Sequence, residues 1–262
     1  MSNIELYNGD CLEVMKQIPD KSIDMICCDL PYGTTACSWD SVIPFDKLWN
    51  EYKRIRKDTT PIILFSSQPF TTMLINSNIK EFKEELIWLK NKSSNGIHLE
   101  KRHNKVHENI IVFSKGIYTY NPIKWNVSEK KFLTQRKTFS FYGESNEVYG
   151  SFKRQRKPDD GSRYPISILS YAVPISMAKS KTYSDDIDIR LHPTQKPLDL
   201  IEYLIKTYSN EGDIVLDNCM GSGTTGVACK KLNRDFIGIE LDENYFNLAK
   251  ERIENNIDKI IK

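Results

Sequence analysis

A glycine-rich turn between a predicted strand and a predicted helix is the first feature of this sequence that could bind a ligand. Gly221, Gly223 and Gly226 have the spacing GxGxxG and follow an apolar run that ends at Asp217. Glycines let the backbone turn sharply and approach a ligand closely, and the following helix presents unpaired N–H groups. Glu240 ends the next predicted strand, where its carboxylate could accept both ribose hydroxyls. Alone, the pattern predicts an adenosine-containing ligand and fits NAD(H) as well as other cofactors.

A second candidate site is the segment 29–33, which reads DLPYG and directly follows the predicted strand 23–28. It places an acid, a rigid proline, an aromatic ring and a glycine at the carboxyl end of a strand, the edge at which open α/β sheets bind ligands. By itself the segment could also be an ordinary turn without a ligand, because Pro-Tyr-Gly suits a turn and an Asp at a strand end often caps a helix. Together with the glycine turn, it predicts one composite site.

The elements that position both segments form an alternating pattern. Near-continuous apolar runs predict strands that are covered on both faces, as in a parallel sheet. Amphipathic stripes predict helices over 44–57 and 242–260, with Asp242 as an N-cap, and Pro197 fits the first turn of a further helix. The predicted strands are 4–7, 23–28, 61–65, 86–89, 110–113, 214–216 and 236–239. This alternation predicts an α/β fold with a doubly wound sheet of about seven strands.

The two segments resemble the motifs of the DNA amino-methyltransferases. The letters DLPY at 29–32 resemble the D-P-P-Y motif of that family, and 217–225 resembles its S-adenosylmethionine motif, D-x-F-x-G-S-G-T-T. The catalytic motif comes first, as in the β group, and further matches lie at 8–12, 107–113 and 192–197. The resemblance implies a Rossmann-like methyltransferase domain formed by 1–117 and 189–262, with a target-recognition insertion at 118–188.

The resemblance also implies the chemistry: transfer of a methyl group from S-adenosylmethionine to the exocyclic N6 of adenine in DNA. Asp29 and a backbone carbonyl at Leu30 or Pro31 would accept the hydrogens of the target amino group, and Tyr32 would stack on a base flipped out of the duplex. The residues implied at the cofactor site are Asp10, Cys11, Asp29, Lys196, Asp217, Asn218, Cys219, Gly221, Ser222, Gly223, Thr224, Thr225 and Glu240. Two departures stand out: Leu30 replaces the first Pro of the family motif, and Asn218 and Cys219 replace its Pro and Phe.

The net charge of +2 is unevenly distributed. Residues 80–163 carry 18 Lys and Arg against 10 Asp and Glu, a net charge of +8, and the rest of the chain carries −6. A solvated lysine-rich surface would give the same count, but with the resemblance the basic middle is expected to bind DNA phosphates. Base reading is expected among a few insertion residues, Arg136, Lys137, Arg154, Gln155 and Arg156.

The composition excludes several classes of protein. With 39% hydrophobic and 11% aromatic residues the chain is too apolar for disorder, and its six cysteines form no CxxC pair, so neither disulfides nor a metal site are expected. The first ten residues are acidic and polar where a signal peptide would have a basic start and an apolar run, so no signal peptide is expected, and no run approaches the ~18 apolar residues of a membrane span. A cytoplasmic, DNA-associated protein of prokaryotic or phage origin is expected. Double-stranded DNA is its expected partner, and a homodimer and a cognate restriction enzyme are further candidates.

Three alternatives stay open. The target could be cytosine N4, although that motif more often begins with Ser. The glycine turn could serve a nicotinamide-dependent oxidoreductase, or the chain could be a non-catalytic DNA-binding module. Methylation of cytosine C5 is disfavoured because the sequence has no Pro-Cys dipeptide.

Overall fold

The computed structural model describes residues 2–34, 40–92, 100–101, 103–126, 161–176, 189–190 and 194–255. The chain forms two compact units. The larger comprises residues 1–121 and 167–262, and the smaller comprises 122–166.

The larger unit is built on an eight-stranded sheet with the order β1-β12-β11-β2-β3-β5-β4-β8. All seven predicted strands are confirmed, and β8 adds an edge strand that the sequence pattern did not reveal. Numbered in chain order, the strands are β1 (Ile4–Asn8), β2 (Met25–Cys28), β3 (Ile62–Ser66), β4 (Phe82–Leu89), β5 (His107–Phe113), β6 (Trp125–Asn126), β7 (Ser162–Arg163), β8 (Ile168–Ser170), β9 (Ile175–Ser176), β10 (Ile189–Arg190), β11 (Ile214–Asp217) and β12 (Asp235–Glu240).

The sheet is mixed rather than wholly parallel. β1, β12, β11, β2 and β3 are parallel neighbours, whereas β5 is antiparallel to both β3 and β4. The apolar run of β5 resembles that of a parallel strand because it is also buried on both faces, so burial does not reveal strand direction. The reversal brings the amino end of β5 to the edge at which the parallel strands end.

Helices cover both faces of the sheet, as expected for a doubly wound fold. In β2, Met25 and Cys27 belong to one core cluster, with residues of the helices α4, α5 and α6. Ile26 and Cys28 belong to the other cluster, with residues of α1, α2 and α3. The helices are α1 (Cys11–Met15), α2 (Phe45–Ile55), α3 (Phe70–Ser77), α4 (Leu198–Tyr208), α5 (Thr224–Lys231) and α6 (Glu243–Asn255).

The predicted helix starts are also present. Asp242 Oδ1 accepts hydrogen bonds from the backbone N–H groups of Asn244 and Tyr245, at 2.9 and 3.1 Å, and so caps α6. Pro197 stands directly before α4, where its missing N–H costs nothing. No helix in the described part of the chain is long and apolar enough to cross a membrane.

The smaller unit lies within the predicted insertion. Its described residues form the antiparallel pair β6–β7, and Lys124 Nζ lies 4.8 Å from the centre of the Tyr164 ring. The predicted insertion, 118–188, is wider than this unit because β8 pairs with β4 in the large sheet. The predicted base-reading residues, Arg136, Lys137, Arg154, Gln155 and Arg156, lie outside the described residues.

Candidate active site

The candidate site lies where the parallel strands end. Asp10, Asp29, Asp217 and Glu240 stand at or just after the carboxyl ends of β1, β2, β11 and β12, which are neighbours in the sheet. Parallel strands present these ends at one edge, so residues from both ends of the chain meet there. They line a cavity of about 910 Å³.

Asp29 accepts hydrogen bonds from two side chains in the cavity wall. Its Oδ1 accepts a hydrogen bond from the Tyr32 hydroxyl at 2.6 Å, and its Oδ2 accepts one from Lys196 Nζ. Lys196 Nζ also lies 5.0 Å from the centre of the Phe65 ring. The two carboxylate oxygens have four lone-pair sites, so Asp29 can still accept hydrogen bonds from a ligand.

A second carboxylate faces the same lysine. Glu108, at the amino end of the antiparallel β5, has its Oε2 3.5 Å from Lys196 Nζ, and its Oε1 accepts a hydrogen bond from Lys90 Nζ. Asp29, Lys196, Glu108 and Lys90 therefore form a row of alternating negative and positive charges. We call this row the charge chain.

Burial and charge oppose each other along the charge chain. Burial raises the pKa of Asp29 above its ordinary value, and the charge of Lys196 only partly offsets that rise. Burial also acts to raise the pKa of Glu108, but Lys196 and Lys90 outweigh it and hold that pKa below its ordinary value. Burial acts to lower the pKa of Lys196, yet Asp29 and Glu108 raise it, so the lysine is charged at neutral pH.

The loop that carries Asp29 is fixed from two sides. Asp40 accepts hydrogen bonds from the backbone N–H groups of Gly33 and Thr34, at 2.8 and 2.9 Å. Gly33 has a φ of 67°, and a Cβ there would lie 2.8 Å from Val42 Cγ2, so only glycine fits. The Tyr32 ring stacks on Phe70 with a centroid distance of 5.1 Å.

The glycine turn follows β11. Gly221 and Gly223 have positive φ values of 53° and 75°, which L side chains rarely adopt. The Gly221 N–H donates to Glu240 Oε2 at 2.8 Å, and the Asp242 N–H donates to Glu240 Oε1 at 2.9 Å. Glu240 thus joins the turn to the end of β12, and each of its oxygens retains a lone pair for a ligand.

Gly226 has a packing role. A Cβ there would lie 2.4 Å from Ile253 Cδ1 and 2.7 Å from Phe236 Cε1. The third glycine of GxGxxG therefore allows α5 to pack closely against α6 and β12, as this position does in dinucleotide-binding folds.

Asp217 holds the turn from within. Its Oδ2 accepts a hydrogen bond from Thr225 Oγ1 at 2.6 Å, and its Oδ1 accepts one from the Cys219 N–H at 3.2 Å. Burial raises the pKa of Asp217 to about 6, although these two hydrogen bonds act to lower it. Arg252 supports the turn from α6, because its Nη1 donates to Thr224 Oγ1 at 2.9 Å and to the Ser222 carbonyl at 3.1 Å.

The residues that depart from the family motif have partners of their own. Asn218 Oδ1 accepts a hydrogen bond from the Tyr52 hydroxyl at 2.5 Å. Cys11, Cys28 and Cys219 are neighbours in the cavity wall, and contact with Cys219, together with burial, raises the pKa of Cys11 well above its ordinary range. These thiols are therefore protonated and serve as small wall residues.

The structure brings the predicted residues together. Of the sixteen residues predicted for catalysis or cofactor binding, all but Gly223 line the cavity, and Gly223 is the N-cap directly before α5. Asp10 both lines the cavity and caps α1, its Oδ1 accepting from the Leu12 N–H at 2.8 Å. Sequence reasoning missed Glu108 and Lys90, although a charged residue at the start of the apolar run of β5 was a visible signal.

Several known proteins are similar to this chain over most of its length. A family model described as DNA methylase, for N6 and N4 amino-methyltransferases, matches residues 23–251. The chain is 27% identical to the type II methyltransferase M.HpaI of Haemophilus parainfluenzae, over 97% of this chain and 75% of that protein. It is 26% identical to the DNA adenine methyltransferase YhdJ of Escherichia coli K12, over 95% of this chain and 82% of the relative.

Two solved structures have a similar fold. The crystal structure of the M1.HpyAVI complex with S-adenosylmethionine matches with a TM-score of 0.62 and 25% identity, over 95% of this chain and 98% of that one. The cytosine-N4-specific PvuII DNA methyltransferase matches with a TM-score of 0.66 and 17% identity, over 100% of this chain and 89% of that one.

Proposed function

Because the chain belongs to the N6/N4 DNA methylase family, an S-adenosylmethionine-dependent family of enzymes, we propose that it methylates the exocyclic N6 of adenine in double-stranded DNA. The observation that carries this proposal is the position of Asp29, a carboxylate that opens into the cavity beside the glycine turn. Such an acceptor fits an amino group with two hydrogens, which both adenine N6 and cytosine N4 offer.

The cavity fits the cofactor in its size and its charge. Asp10, Asp217 and Glu240 line it, and these carboxylates suit the positive sulfonium and amino groups of S-adenosylmethionine better than a dinucleotide pyrophosphate. Glu240 would hold the ribose, Asp10 would lie near the adenine, and the turn 221–225 would follow the methionine part. When bound, S-adenosylmethionine supplies an activated methyl group, so no nucleophilic side chain is needed.

The residues around Asp29 prepare the target amino group. Adenine N6 is a poor nucleophile because its lone pair is delocalised into the ring. Asp29 and a carbonyl at Leu30 or Pro31 would accept its hydrogens and so localise the lone pair on N6. Asp29 then takes up the proton that N6 loses. Because these acceptors are fixed in advance, positioning and electrostatics can supply much of the acceleration.

The base would have to leave the duplex to reach this position. Tyr32 lies next to Asp29 in the cavity wall, and Phe70 supports its ring. A base that enters the cavity would stack on Tyr32, in the manner of enzymes that flip their target nucleotide. The homodimer and the cognate restriction enzyme stay predictions, and light scattering of the purified protein tests the first.

Cytosine N4 is the second candidate. The fold of the cytosine-N4-specific PvuII enzyme is similar, and the same acceptors would serve either amino group. The presence of an acid at position 29 and the similarity to YhdJ favour adenine.

One digestion experiment decides between the two bases. The protein is incubated with methyl-labelled S-adenosylmethionine and DNA of mixed sequence, and the DNA is digested to nucleosides. Label in N6-methyl-2′-deoxyadenosine alone is expected. Label in N4-methyl-2′-deoxycytidine would establish the second candidate, and no labelled nucleoside would contradict both.

A further inference from the structure

One buried oxygen in the charge chain has no donor. Glu108 Oε2 is buried and accepts no hydrogen bond from any described residue, although Lys196 Nζ is only 3.5 Å away. Its partner oxygen, Oε1, is held by Lys90. A buried carboxylate oxygen without a donor is unusual in a folded protein, and its position calls for an explanation.

Lys196 lies between two carboxylates and is hydrogen-bonded to only one of them. Its side chain is 8% exposed, and its Nζ donates to Asp29 Oδ2 rather than to Glu108 Oε2. If a ligand displaced Lys196 from Asp29, the lysine would be a buried cation in need of another partner, because an unpaired buried charge is strongly unfavourable. Glu108 Oε2 already occupies the place of that partner.

We propose that Glu108 is a second acceptor for Lys196, which moves from Asp29 Oδ2 to Glu108 Oε2 when the target amino group binds Asp29. The inference rests on the proposed function, since it assigns the amino group to Asp29. Glu108 is thus a positioning residue: it acts on the reaction through Lys196.

The geometry makes this movement small. Lys196 Nζ has to shorten its 3.5 Å separation from Glu108 Oε2 by less than about 1 Å to form a hydrogen bond. The charges of Asp29, Lys196, Glu108 and Lys90 balance before and after the shift, so no net charge enters or leaves the buried region. After the shift, the incoming N–H binds an Asp29 oxygen that it no longer shares with Lys196.

Other ionisable groups face the charge chain. Tyr32 donates to Asp29, and Asp217 of β11 and Cys28 of β2 interact with Asp29 through space. Lys105 faces Glu108. None of these groups lies between Lys196 and Glu108. Substitutions within the charge chain therefore test whether Lys196 has two acceptors.

The test compares Glu108→Gln with Glu81→Gln in the full-length protein. Glu81 forms a part-buried ion pair with Arg56, at 2.6 Å, and does not line the cavity. It therefore controls for the loss of a buried ion pair. The rate of methyl transfer at saturating cofactor and DNA is measured from pH 5 to 9. Methylation by the wild type is established first, so that a failure of the proposed function is recognised separately.

Glu108→Gln is expected to lower the plateau rate about tenfold or more, because Lys196 stays on Asp29. It should also move the acidic limb of the profile to lower pH by about one unit, because the negative charge of Glu108, which raises the pKa of Asp29, is lost and Lys196 then pairs with Asp29 alone. Lys196→Met should move this limb to higher pH. Glu81→Gln should leave both the plateau and the limb unchanged.

The double variant Lys196→Met/Glu108→Gln shows whether Glu108 acts through Lys196. The proposal predicts that Glu108→Gln lowers the plateau rate no further once Lys196 is absent, while the direct effect of the Glu108 charge on the pKa of Asp29 remains. An equal loss of plateau rate in both backgrounds would overturn it, as would an acidic limb that does not move in Glu108→Gln.

If Lys196→Met has no measurable rate, a binding measurement tests the proposal instead. The affinities for target DNA carrying adenine and for DNA carrying purine, which lacks the amino group, are compared. The preference for adenine should fall in Glu108→Gln and be equal in Lys196→Met and the double variant. A further fall in the double variant would overturn the proposal.

Discussion

Lys196 Nζ donates a hydrogen bond to Asp29 Oδ2, although 167 positions separate the two residues in the sequence. The contact forms because β2 and β11 are neighbours in the sheet and the segment before α4 returns to the same edge. Burial raises the pKa of Asp29, and the charge of Lys196 partly offsets that rise and so favours the ionised acceptor.

Tyr32 is expected to contribute more through its ring than through its hydroxyl. Tyr32→Phe removes the hydrogen bond to Asp29 Oδ1 but keeps the stacking on Phe70, so turnover should fall by less than about tenfold. Tyr32→Ala also removes the surface on which the base would stack, an interaction of about 1–3 kcal/mol, so its loss should be about tenfold larger or more. Single-turnover rates of both variants measure this. Equal losses would contradict the stacking role.

Glu240 is expected to determine the affinity for the cofactor. Glu240→Gln replaces one carboxylate oxygen with an NH₂ group. This group would face the N–H of Gly221 or Asp242 without a hydrogen bond, and the ribose would lose one acceptor. The dissociation constant for S-adenosylmethionine should rise about tenfold or more, as calorimetry would show. Glu243→Gln, an exposed change in the first turn of α6, is the matched control. Unchanged affinity in Glu240→Gln would place the ribose elsewhere.

Asp217 is expected to make stability depend on pH. Its pKa is raised from 3.8 to about 6 in the folded protein, so the native state binds more protons than the unfolded state between these values. The free energy of unfolding contributed by this residue therefore falls as pH rises through that window, by about 3 kcal/mol in total.

Asp217→Asn removes this titration. The Thr225 hydroxyl can turn to accept a hydrogen bond from the amide, so the turn keeps its contacts. Denaturant unfolding at pH 4 and pH 7 should show the variant gaining stability relative to the wild type as pH rises. Asp46→Asn, on the exposed face of α2, should show no such gain. A pH-independent difference in Asp217→Asn would refute the prediction.

Gly226→Ala is expected to destabilise the fold. The added Cβ would lie 2.4 Å from Ile253 Cδ1. Overpacking of this kind destabilises a fold by about 1–3 kcal/mol. The higher helix propensity of Ala offsets about 1 kcal/mol of this loss. Adding Ile253→Val removes the clashing methyl and should restore part of the loss. Gly116→Ala, with no atom within 4 Å of the added Cβ, should change the free energy of unfolding by less than about 0.5 kcal/mol. Equal stability of Gly226→Ala and the wild type would contradict the packing role.

Local features of this site could be predicted from the sequence, and contacts between distant segments could not. The glycine turn and Glu240 are 19 residues apart and belong to one strand–helix–strand unit, so their meeting follows from local order. Glu108 reaches Lys196 only because β5 runs antiparallel between β3 and β4. The charge at the start of the β5 run is visible in the sequence, but the run indicates burial and not strand direction, so the pattern alone could not place Glu108 in the site.

Mapping of modified bases in DNA from cells that express the protein tests the central proposal most directly. The wild type should produce N6-methyladenine at every copy of one short sequence, and Asp29→Ala should produce none while it still binds S-adenosylmethionine. Modified cytosines at that sequence, or modified adenines that persist in Asp29→Ala, would contradict the assignment of Asp29 as the acceptor for adenine N6.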